Sequence, residues 1–156
     1  MSRRAVAPVV GVVLLVGVTV VLAAIVGAFA IGIGQTDDVP KAAISADMAT
    51  GETYGNPEIL LTHVSGDELI VRNLTIRIFV DGEPLEPQPQ VPVAAGMNGF
   101  FGAPSAPLQK GKDKTWTAGE ETSLVIAGTN SPQPTAGSQV TVKIYTEGEP
   151  VATART

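Results

Sequence analysis

The run Ala5 to Gly34, AVAPVVGVVLLVGVTVVLAAIVGAFAIGIG, contains no charge and has Thr19 as its only polar side chain. A hydrocarbon layer is crossed by about 20 apolar residues of helix, so this run is long enough to span a membrane. Proline suits a first helical turn, where its missing N–H has no intrahelical partner, so the helix is expected to begin near Pro8. Gly32, Gly34, Gln35, Thr36, Asp37 and Asp38 replace apolar bulk with flexible and charged residues, so it is expected to end near Gly34. From Pro8 to Ile33 such a rod would measure about 39 Å. Ala23, Gly27, Ala30 and Gly34 fall on one helical face, and small residues of this kind let helix backbones approach closely in an apolar medium.

The flanks orient the segment. Arg3 and Arg4 precede it, Asp37 and Asp38 follow it, and positive charge is retained in the cytoplasm. The short N-terminus is therefore expected on the cytoplasmic side and the rest of the chain outside. On its own residues the segment is either an uncleaved anchor, the simplest physical reading, or a secretory signal cut after Ala28-Phe-Ala30. Its apolar region is about twice the usual 7 to 15 residues of a secretory signal, which counts against the second.

The chain has 156 residues and a formal charge of −5. Removing the apolar run leaves enough for one globular domain with a modest core. The basic face that nucleic-acid binding needs is not visible; beyond the N-terminus the cations cluster only at Lys110, Lys112 and Lys114. There are no cysteines, so an external domain must hold together without disulfides, and thiolate metal or nucleophile chemistry is excluded.

The stretch from Arg4 through Pro8, Gly11, Gly17, Ala23 and Gly27 to Phe29 resembles the N-terminus of archaeal type IV pilins. A fainter similarity lies at Leu61-Thr-His-Val-Ser-Gly-Asp67, a turn pattern found in such proteins. The resemblance implies a leader, residues 1–4, removed by a prepilin peptidase between Arg4 and Ala5. It further implies membrane storage of the subunit on its helix, and assembly by an ATPase and a membrane platform protein into a homo-oligomeric helical filament. The subunit would then lie at the cell surface, in an adhesion pilus. Bacterial relatives carry a glutamate five residues into the mature chain; Val9 stands there, as in the archaeal branch. The Gly-Gln-Val-Gly start typical of archaellins is missing, which favours a pilus over a swimming filament.

After a linker, residues 35–41, the pattern changes to period two, with Leu74, Ile76, Ile78 and Val80 alternating with polar neighbours, as do Val140, Val142 and Ile144. Further strands are expected at Ala43–Ala49, Glu58–Val64, Glu68–Val71, Thr115–Thr117, Thr122–Ala127 and Val151–Ala154. Glycine-bearing turns separate them, at Asp81-Gly82 and Glu147-Gly148-Glu149-Pro150 among others. The expected fold is an N-terminal hydrophobic helix, residues 5–34, followed by an all-β domain, residues 42–156, built as an immunoglobulin-like β-sandwich. Glu83 to Lys114 is a long proline- and glycine-rich loop, of the kind that is usually functional or mobile. On it, Phe100 and Phe101 either contact a neighbouring subunit or fold back over the open edge of the sandwich.

Chemistry finds little purchase. His63, the only histidine, sits opposite Thr62 and Val64 in a period-two strand just before a turn, and a structural hydrogen bond to backbone is expected of it. No metal site, cofactor site or catalytic set can be named. Asn73-Leu74-Thr75 is an N-glycosylation sequon, reachable if the domain is external. The primary expectation is a structural filament subunit without enzymatic activity. The alternatives are a single-pass anchored β-domain that binds a ligand or partner, and, with least support, an anchored hydrolase.

Overall fold

A computed structural model describes residues 6–33, 39–51, 55–112 and 114–156. The chain divides into two compact units, Met1–Asp38 and Val39–Thr156. In the first, helix α1 runs over Val6–Ile33, 28 residues, with Pro8 in its first turn. Its lone polar side chain is satisfied internally, because Thr19 Oγ1 donates to the Val16 carbonyl at 2.9 Å. That leaves the helix surface without an unpaired polar group, the condition for life in lipid. The expected cut between Arg4 and Ala5, Gly34 of the small-residue face, and most of the linker lie outside the described residues.

The second unit is all β. One sheet has the order β1-β2-β8-β6 and a second the order β10-β9-β4-β5, with neighbours antiparallel. The strands are β1 Ala42–Thr50, β2 Pro57–Gly66, β3 Leu69–Ile70, β4 Leu74–Val80, β5 Glu83–Pro84, β6 Phe100–Phe101, β7 Thr115–Trp116, β8 Glu121–Ile126, β9 Val140–Thr146 and β10 Glu149–Arg155. A small β3–β7 ladder stands apart. The alternation that marked β4 and β9 in the sequence is the alternation of burial. Leu74, Ile76, Ile78, Val80, Val140, Val142 and Ile144 face inward, and meet Ile44, Ile59, Leu61, Leu124 and Ile126 of the other sheet in one core. Two hairpins close on two-residue turns, Asp81-Gly82 and Glu147-Gly148, whose residues all have positive φ. This is the mirror-image turn that matches strand twist and favours glycine at its second position.

Three expectations need correction. Glu68–Val71 is not a full strand: pairing stops at Ile70, and Val71–Asn73 form a single 3₁₀ turn that buries Val71. Glu149 and Pro150 belong to β10 rather than to the turn before it. The largest departure is the segment Glu83 to Lys114, which is structural rather than a mobile loop. It adds β5 and β6 to the two sheets and places Leu85, Val93, Phe100 and Leu108 in the core. Gln88 acts as a surrogate strand residue: its Oε1 accepts from Ile78 N at 2.7 Å, and its Nε2 donates to the Ile78 and Leu85 carbonyls at 2.9 and 3.0 Å. The proline-rich chain thus supplies the edge of β4 with hydrogen bonds that proline nitrogens cannot make.

Leu108 gives a test of this part. Leu108→Ala should lower unfolding stability by about 2–5 kcal/mol, the range for a buried leucine. Denaturant titration of the detergent-solubilised chain, followed through Trp116 fluorescence, checks this; a change near zero would return the segment to the status of a loop.

Candidate functional site

The residues singled out from the sequence fall into separate places. On α1, Ala23, Gly27 and Ala30 lie at helical spacing on one stripe. A Cβ built on Gly27 would meet nothing within 4 Å, so nothing in the chain itself requires a glycine there. The large side chains from Val9 to Phe29 are exposed, with Leu15, Val26 and Phe29 each at 66%. An apolar surface of that extent marks a contact with lipid or protein.

The motif Leu61 to Asp67 has a structural explanation. His63 is wholly buried. Its Nδ1 lies 3.2 Å from the Trp116 carbonyl and therefore carries the proton, while Nε2 has no partner. The indole of Trp116 packs edge-on against the imidazole at 5.7 Å and donates from Nε1 to the Glu120 carbonyl at 3.1 Å. Around Gly66 the backbone crosses Lys41 so closely that a Cβ would strike the Lys41 carbonyl, and φ there is +113°. Asp67 completes the clamp: its N–H donates to the Lys41 carbonyl at 2.9 Å, and its carboxylate accepts from the Lys41 N–H at 2.9 Å. The motif therefore fastens the chain where it enters the β-domain. Asp67 is spent on that task, Ser65 is exposed on the far side, and His63 is walled in, so these three do not assemble into a reaction centre. Among the described residues no group of three or more histidine and acidic side chains is placed to hold a metal ion.

Asn73 ends the 3₁₀ turn rather than opening β4, half-buried, and its Nδ2 donates to Glu147 at 3.3 Å. The two phenylalanines divide. Phe100 points inward at 5% exposure and Phe101 outward at 41%, as period two demands of consecutive residues in β6. Phe100 is thereby withdrawn from the expected pair of contact residues, since its ring is part of the core. Gly99, at φ +82°, makes room for this edge: a Cβ there would strike Pro87 and Asn130. Asn130 is a buried polar residue that sequence reasoning missed. It donates to the Pro87 and Gly99 carbonyls at 3.0 Å each, and only the tertiary fold brings those carbonyls together.

An open groove of about 1120 Å³ runs beside β4, lined by Thr75, Arg77, Phe79, Tyr145 and the proline-rich segment from Pro84 to Val91.

Comparison with known proteins bears on the helix. Residues 4–44 match the family described as archaeal type IV pilin, N-terminal. Over those residues the chain is similar to the N-terminus of an archaeal type IV pilin. That pilin segment comprises α1 and reaches into β1, so it includes the whole described apolar surface of the helix. The chain is also similar to an uncharacterized protein of Archaeoglobus fulgidus, 30% identical over 83 residues, which are 53% of this chain and 56% of that relative. The chain thus matches little more than half the length of that relative.

The split of the phenylalanine pair has a measurable consequence. Phe100→Ala should cost about 3–5 kcal/mol of unfolding stability, and Phe101→Ala a small fraction of that. Equal losses in denaturant titration would contradict the inward and outward assignment.

Proposed function

We propose that this chain is the structural subunit of an archaeal type IV adhesion pilus. Its helix packs against helices of other copies in the filament core, and its β-domain forms the outer surface. The observation that carries this reading is α1 itself, 28 residues within the matched pilin segment, apolar on every side and bare of cover from its own chain. Moving such a helix from lipid to a helix bundle exchanges one apolar environment for another, so the gain must come from close packing. The stripe of Ala23, Gly27 and Ala30, extended by Gly34, permits that packing.

On this reading the precursor sits in the membrane with Arg3 and Arg4 on the cytoplasmic side and the β-domain outside. A prepilin peptidase cuts between Arg4 and Ala5, and an assembly ATPase and membrane platform protein drive polymerisation. The role is architectural, with no reaction catalysed and no cofactor required, and nucleic acid is not a partner. Asn73, at the exposed end of a hairpin, is the proposed point of glycan attachment.

Intact-mass measurement of the mature protein, with electron microscopy of the cells, tests this. The expected results are a chain beginning at Ala5, filaments on the surface, and any added glycan mass lost in Asn73→Gln. A chain retaining Met1 to Arg4, with no filaments, would favour a permanently anchored β-domain instead. Gly27→Leu is the complementary variant. Leucine improves intrinsic helix propensity by roughly 0.8 kcal/mol, and its Cβ would meet nothing within 4 Å among the described residues, so the subunit should accumulate normally while filaments are lost. Normal filaments in Gly27→Leu would remove the packing face.

A further inference from the structure

The two outer faces of the β-domain carry opposite charge. On the sheet β10-β9-β4-β5, the outward positions form rows set by the register: Thr75 beside Tyr145 and Pro150, Arg77 beside Lys143 and Thr153, and Phe79 beside Thr141 and Arg155. Arg77, Lys143 and Arg155 are thus gathered on one face in a chain whose formal charge is −5, and no acidic residue occupies any of these positions. Glu147 and Glu149 sit at the hairpin end, and Glu86 lies on the proline-rich segment across the groove from Arg77. On the other sheet the outward rows are Glu121 beside Thr62 and Ser45, Ser123 beside Leu60 and Asp47, and Val125 between Phe101 and Glu58. Asp47, Glu58 and Glu121 share that face, and none of these positions holds a lysine or arginine.

Nothing within the subunit uses the positive charges fully. Arg77 and Lys143 are direct cross-strand partners, and like charges so placed repel. Among the described residues the contact this group makes is Lys143 Nζ over the Phe79 ring at 4.9 Å, a cation–π pair and not an ion pair. Each face also offers apolar contact area, with Phe79 and Tyr145 among the cations and Leu60, Val125 and Phe101 among the carboxylates. Aromatic and aliphatic anchors among complementary charges are what a specific protein interface is made of.

We infer that the Arg77–Lys143–Arg155 face of one subunit docks on the Asp47–Glu58–Glu121 face of a second copy of this chain. The charges match in number and are opposite in sign, and each chain carries both halves. Because the halves lie on opposite sides of one sandwich, the contact is heterologous. Such contacts propagate from copy to copy instead of closing into a two-fold dimer. The inference rests on the pilin reading, which supplies the setting: bundled helices hold β-domains side by side, where modest electrostatic complementarity sets their register.

Charge reversal in the full-length chain provides the test. One variant carries Arg77→Glu, Lys143→Glu and Arg155→Glu; a second carries Asp47→Lys, Glu58→Lys and Glu121→Lys; a third carries all six. All these side chains point outward, so each variant should accumulate in the membrane with wild-type protease resistance. Filament yield is expected to fall about tenfold or more in each triple variant and to recover to within about threefold of wild type in the sixfold variant, where every pair is restored with its sign reversed. In detergent at low salt the two triple variants should co-sediment with each other and not with themselves. Wild-type yield in both triple variants, or failure of the sixfold variant to recover despite normal accumulation, would overturn the docking assignment. Absence of filaments from wild-type cells would instead count against the pilin reading, and the co-sedimentation of the two triple variants then decides the docking on its own.

Discussion

The constraint on which the proposed role depends is a helix whose large apolar side chains, from Val9 to Phe29, are exposed. A helix with a polar side buries its other side against a domain; α1 has no polar side. From Val9 to Phe29 its large side chains are about half to two-thirds exposed. Each valine or leucine left in water forgoes roughly 1.5–3 kcal/mol, so over the length of the helix the total exceeds the net stability of an ordinary domain. The helix therefore has two physical destinations, lipid or other helices, and the proposed pilin role would take it from the first to the second.

The β-domain meets a different constraint. It has no cysteines, so cross-links cannot compensate for a small core. Instead the chain between the hairpins is folded into the sandwich, where Leu85, Val93, Phe100 and Leu108 enlarge the core. The polar groups this buries are met one by one: Gln88 serves the edge of β4 and Asn130 serves the carbonyls of Pro87 and Gly99. The clamp of Gly66 and Asp67 on Lys41 ties the start of the domain to the end of β2.

What could be read from the sequence follows how local each signal is. The helix was legible because charge-free length and a proline at its start are properties of a single run, and β4 and β9 were legible because one face of each is buried. The proline-rich segment was misjudged. Its two short strands carry no alternation long enough to register, and its hydrogen bonds come from glutamine and asparagine side chains whose partners are tens of residues away. The short strand expected at Glu68–Val71 shrank because the 3₁₀ turn at Val71–Asn73 buries its valine without a ladder. The charge segregation between the two faces was invisible for the same reason: Arg77, Lys143 and Arg155 become neighbours only once the register of three strands is known.

The account is tested most directly by asking what surrounds the middle of α1. Because the chain has no cysteine, Val16→Cys gives a single site for a nitroxide spin label, at a position 54% exposed in the subunit. In filaments the labels should broaden one another strongly and be shielded from a water-soluble relaxant, with the broadening lost on dilution by unlabelled chain or in detergent. A sharp, unbroadened spectrum from intact fibres would contradict a core built of packed helices.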